Sequence, residues 1–136
     1  TLVEIRYTVP GRPFTWKRAG QSGRRRFNTA EHEAAKRMHW QAWAAAKAGR
    51  SWDTAGAFAV GVVGYYADAK CGDLDKLQGI VYDALEGHAW TKDRKIRSVL
   101  HPTGIVCDGS PERVEVVITR LSVDPVQDAA ARKRRK

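Results

Sequence analysis

Residues Gly72 to Gly87, GDLDKLQGIVYDALEG, constrain this chain more than any other stretch. Leu74, Leu77, Val81, Ala84 and Leu85 recur at the spacing of one apolar helical face. Asp73 precedes the periodic run at the N-cap position, and Asp75 falls in the first turn. Gly87 follows the last periodic residue, where helices often end in a left-handed cap. A third carboxylate, Asp93, comes a short loop later in WTKD. Two purposes fit Asp73 and Asp75. One is structural, with Asp73 capping the helix and Asp75 complementing its dipole. The other is chemical. Hard cations such as Mg²⁺ take oxygen ligands and keep several waters, so carboxylates with open positions suit metal-assisted phosphoryl chemistry. An N-cap residue has extended backbone angles, which frees the Asp73 side chain to converge with that of Asp75.

The wider pattern narrows the choice. GDLDKLQ, then a helix carrying Asp83-Ala84-Leu85 and Gly87, then Trp90-x-x-Asp93 and a strand led by Ile96, resembles the RusA-type Holliday-junction resolvases. The resemblance covers about half of the chain. Upstream it rests only on Pro10-x-x-Pro13 and a basic segment before a long helix. It implies an Mg²⁺- or Mn²⁺-dependent endonuclease that resolves branched DNA as a homodimer. Asp73, Asp75 and Asp93 would then be the catalytic, metal-holding carboxylates. Three positions depart from the family pattern. Lys76 stands where the family has Asn, Lys92 replaces the first member of an acidic pair, and Gly79 occupies a position that commonly carries a catalytic Lys. Lys76 is the candidate for that missing cationic role. The same departures suit an alternative reading, a branched or single-stranded DNA-binding module of this fold that cuts poorly or not at all. A third reading leaves the acids as helix caps on a basic protein.

Charge agrees with a nucleic-acid partner. The 136 residues carry a net charge of +9, and the cations are clustered. Five of the ten residues from Lys17 to Arg26 are basic, with Phe14, Trp16 and Phe27 close by. Lys17, Arg18, Arg24, Arg25 and Arg26 are therefore expected to neutralise phosphates. Lys70, close before Asp73, is a further candidate, and the aromatics could stack on exposed bases. No run of about 18 apolar residues is present, so no membrane span is expected. No small-molecule cofactor is expected as a partner. No secretory segment is evident. Cys71 and Cys107 lack close spacing, which points to a reducing compartment, and they lack the paired spacing of a zinc site. A bacterial or phage-infected cytoplasm is the expected location.

Other elements follow from pattern. Leu2 to Val9 alternates as a half-buried strand, stopped by Pro10-Gly11-Arg12-Pro13. A helix is expected from a cap at Asn28 or Thr29 to about Lys47, with Gly49 closing it. Its narrow face comprises Ala34, Ala35, Met38, Ala42, Ala45 and Ala46, which leaves His32 and His39 on the surface. Ala57 to Asp68 reads as a central strand covered on both faces. Lys95 to Val106 and Arg113 to Leu121 are expected to pair antiparallel across the Asp108-Gly109 turn. The expected fold is α/β, a small mixed sheet of about four strands with two main helices in the order β-α-β-α-β-β. One domain spans residues 1–123, and a basic, disordered tail spans 124–136.

Overall fold

The computed structural model describes residues 2–15, 20–22, 25–27, 30–126 and 133. The expectations for Lys17, Arg18 and Arg24, for the Asn28 or Thr29 cap, and for residues 127–132 and 134–136 of the tail lie outside them. For Arg25 and Arg26 only the backbone is described.

The first strand, β1 (Glu4–Pro10), alternates exposed and buried residues as its sequence dictates. The chain then forms a small hairpin, β2 (Gly20–Ser22) and β3 (Arg25–Phe27), inside the basic segment. Helix α1 (Ala30–Lys47), strand β4 (Ala57–Tyr66) and helix α2 (Leu74–Leu85) follow. Strands β5 (Ile96–Val99), β6 (Gly104–Cys107) and β7 (Arg113–Leu121) complete the order.

The main sheet has five strands rather than about four, ordered β1-β7-β4-β5, with β6 also on β4. The expected antiparallel pairing of β6 with β7 does not occur. Strand β7 pairs antiparallel with β4 along one edge, while β5 and β6 pair parallel with β4 along the other. The long, apolar β4 supplies the hydrogen-bonding edge for both, so the Asp108-Gly109 turn leads across β4 instead of folding β7 back onto β6. Between β5 and β6, Thr103 fills the gap in the ladder. Its Oγ1 accepts from the Val62 amide at 3.1 Å and donates to the Leu100 carbonyl at 2.6 Å.

Both helices cover the same face of the sheet. Ile5, Tyr7 and Val9 of β1, Phe58, Val60 and Val62 of β4, and Val114, Val116 and Ile118 of β7 join Leu77, Ile80, Val81 and Leu85 of α2 in one core. Strand β4 is buried on its other face too. A Cβ at Gly61 would lie 3.2 Å from both Leu100 and the Pro102 carbonyl. A Cβ at Gly64 would lie 2.6 Å from Leu77, so glycine there lets α2 sit directly on the strand. Cys107 lies opposite Tyr66 in the β4–β6 register. That pairing brings it to Cys71, and the two are disulfide-linked with Cα atoms 6.5 Å apart. Their distance in sequence was thus no guide to pairing.

Helix α1 buries His32, Ala35, His39 and Trp43; of the expected small-residue face Ala42 and Ala46 are half-buried against the core, while Ala34, Ala45 and Met38 are exposed. His32 and His39 are buried because each meets a polar partner, a match that counting apolar residues overlooks. His32 Nε2 lies 3.3 Å from Asp83 of α2. Tyr7 Oη lies 2.9 Å from His39 Nδ1, at hydrogen-bond distance. Burial pushes His39 from 6.5 down to about 4. The unfolded chain therefore binds a proton that the folded chain refuses between these values. This site's stabilisation is complete above pH 6.5 and declines as pH falls toward 4, by up to about 3 kcal/mol. Urea unfolding at stepped pH is expected to show this loss in the native protein and a smaller slope in His39→Asn.

Candidate metal and DNA site

Strand β4 ends at Tyr66, and residues 67–73 carry the chain to α2. Arg12, at the β1 turn, fastens this connection. Its guanidinium reaches Glu112 at 2.7 Å and Asp68 at 3.4 Å, and also donates to the Lys70 carbonyl. It lies 4.9 Å above the Tyr66 ring. Arg12 was absent from the sequence-based site, although its place between two prolines was the available signal. Gly72 is required immediately before the acids, because a Cβ there would strike Thr15 and Tyr66 Oη. Arg12, Phe14, Thr15, Tyr66, Lys70 and Gly72 line a cleft of about 430 Å³. The basic segment leaves the chain from its wall at Thr15, and Lys70 is exposed at its edge.

Asp73 occupies the N-cap of α2 with extended angles (φ −80°, ψ 136°), as its position in sequence requires. Its carboxylate makes no capping hydrogen bond. Lys76 Nζ lies 3.4 Å from it, an exposed pair that holds the ammonium one helical turn away at little energetic cost. Asp75 is exposed in the first turn. Two solvent-facing carboxylates, neither committed to capping, fit a hard divalent cation that retains waters.

Asp93 lies elsewhere. It opens a 3₁₀ turn, Asp93–Lys95, just before β5. Its Oδ1 accepts from Nε1 of the fully buried Trp90 at 2.8 Å. Twelve residues of α2 separate this place from Asp73, about 18 Å at helical rise. The sheet agrees, because Ile96 pairs with Phe58 at the start of β4 whereas Asp73 follows the end of that strand. Among the described residues no cluster of three or more His, Cys, Asp or Glu side chains is placed to hold one ion. The chain thus presents Asp73, Asp75 and Lys76 together and Asp93 apart, beside Glu86 and Asp83.

A family model described as Endodeoxyribonuclease RusA matches residues 10–119, which include Arg12, all three aspartates and every strand pairing with β4 except the last β7 residues. The chain belongs to the RusA family of endodeoxyribonucleases. No curated protein matches it. RusA proteins are Holliday-junction-resolving endonucleases, hydrolases that act on branched DNA. Among the described residues no helix is long and apolar enough to cross a membrane.

The Asp93 carboxyl is held above its ordinary value. Burial is the main cause, and the charges of Glu86 and Asp83 add to it, while the hydrogen bond from Trp90 opposes them. Replacing Trp90 by Phe removes that donor and keeps a large apolar ring in the core. The Asp93 titration, followed by carboxyl NMR in Trp90→Phe, is expected to move further upward; a downward move would show that the indole does not stabilise the charged form.

Proposed function

We propose that this RusA protein is a metal-dependent endonuclease that cuts branched DNA at paired positions as a homodimer. One observation carries the reading: Asp73 and Asp75 stand exposed at the start of α2, Asp73 without a capping hydrogen bond and directly after Gly72 of the cleft wall. Bound Mg²⁺ or Mn²⁺ would activate water and stabilise charge developing on the phosphate. Asp73 and Asp75 are the carboxylates that would hold it. Lys76 would place its ammonium against a phosphoryl oxygen or the leaving group, displaced from Asp73 once a divalent cation is bound. Lys17, Arg18, Arg24, Arg25, Arg26 and Lys70 would bind the junction arms through their phosphates. The site of action we assign is a bacterial or phage-infected cytoplasm.

Asp93 enters this reading through the second copy. One chain holds it about a helix length from Asp73, so a three-carboxylate site needs Asp73 and Asp75 of one protomer and the third aspartate of the other. Two-fold symmetry then gives two such sites, one for each strand of a four-way junction. The separation of Asp93 also favours the alternative, a module that binds branched DNA without cutting it, since an isolated chain has only two of the three acids in reach.

Cleavage of a labelled four-way junction, with and without Mg²⁺ or Mn²⁺ and beside a linear duplex, tests the activity. Paired nicks that require metal and fall at least a hundredfold in Asp75→Asn are expected, on the order of losing a main electrostatic contributor. Tight junction binding without cuts would leave the binding module. Mixing the two inactive variants Asp75→Asn and Asp93→Asn tests the shared site. A mixed dimer retains one intact composite site, so single nicks should return. If both acids served within one chain, the mixture would stay inactive.

A further inference from the structure

The turn that carries Asp93 also carries cations that the basic segment does not include. Lys92, Arg94 and Lys95 lie within four consecutive residues, the first two exposed and Lys95 half-buried. Among the described residues none of the three meets a carboxylate. Other cations of the chain are committed. Arg12 is held by Glu112 and Asp68, Lys36 by Asp83, Arg97 by Asp124 and Arg120 by Asp53. The backbone of the turn is hydrogen-bonded. The Lys95 amide donates to the Lys92 carbonyl at 2.9 Å, and Arg97 Nη1 donates to the Arg94 carbonyl at 3.0 Å. Trp90, buried in the core, anchors Asp93 between them. Cations without a carboxylate partner gain more from a phosphate than cations that must first leave one.

We propose that Lys92, Arg94 and Lys95 form a second phosphate-binding surface, which grips the DNA strand on the Asp93 side of the site. It rests on the nucleic-acid reading above and adds a contact at the opposite end of α2 from Asp73. Lys36 Nζ lies 3.3 Å from Asp83 and offsets that carboxylate. Glu86 and Asp93 remain as nearby negative charges, so three cations leave the turn positive. Lys92 gains a function here. Where a second acid would repel the backbone, it offers the strand a phosphate contact.

Anisotropy with a labelled four-way junction, metal chelated so that no strand is cut, measures this across a salt series. Neutralising three phosphate contacts changes the slope of log affinity against log salt by about 0.9 per contact. The variant Lys92→Gln/Arg94→Gln/Lys95→Gln is therefore expected to lose about two to three units of slope and at least about tenfold in affinity at 0.1 M salt. Lys92→Gln alone, at an exposed position, should lose about one unit, and thermal melting confirms that each variant is folded. Unchanged slope and affinity in folded variants would overturn the proposal. Lower slopes with equal affinity for junction and linear duplex would support the surface while defeating the junction reading. A native protein that binds no DNA at all would overturn both.

Discussion

Strand β4 is the constraint on which the rest of this protein depends. It pairs along both edges and is buried on both faces, so neither its register nor its direction can shift without breaking the core. Helix α2 must then return along β4 with Leu77, Ile80 and Val81 inward, and Gly64 lets it approach closely. The chain emerges at the strand's end to present Asp73 and returns to its start to present Asp93. The distance between the acids is a consequence of this path.

The local chemistry at each end is held by neighbouring side chains. Arg12 ties the connection before Asp73 to Glu112 and Asp68, and Tyr66 with Thr15 leaves room only for glycine at position 72. At the other end Trp90 fills the core and turns its indole N–H toward Asp93. A buried aromatic with one polar atom can thus serve packing and positioning together. Such supports matter because a carboxylate ligand is useful only if its direction is defined before the ion arrives.

Periodicity revealed the face of α2, the cap at Asp73 and the left-handed end at Gly87 (φ 85°), since each depends on neighbours within one or two turns. The same method misjudged α1. Counting apolar residues put the small side chains inside, whereas His32 and His39 are buried because Asp83 and Tyr7 are there to meet them. Those partners are 51 and 32 residues away, beyond any local pattern. The expected hairpin of β6 with β7 failed for a related reason. A turn signal says that the chain reverses, but not which strand offers a free edge.

By itself, then, the sequence determined both helices, the strands β1, β4 and β7, the class of fold, the basic character and the carboxylates at the start of α2. These follow from spacing, capping and composition, all properties of residues near one another. Only the tertiary structure decided which groups meet. It joined Cys71 to Cys107 through the β4–β6 register, made Arg12 a clamp, buried two histidines, and set Asp93 at the far end of α2. Such meetings depend on how strands share edges and helices share a face, and a one-dimensional pattern does not contain that geometry.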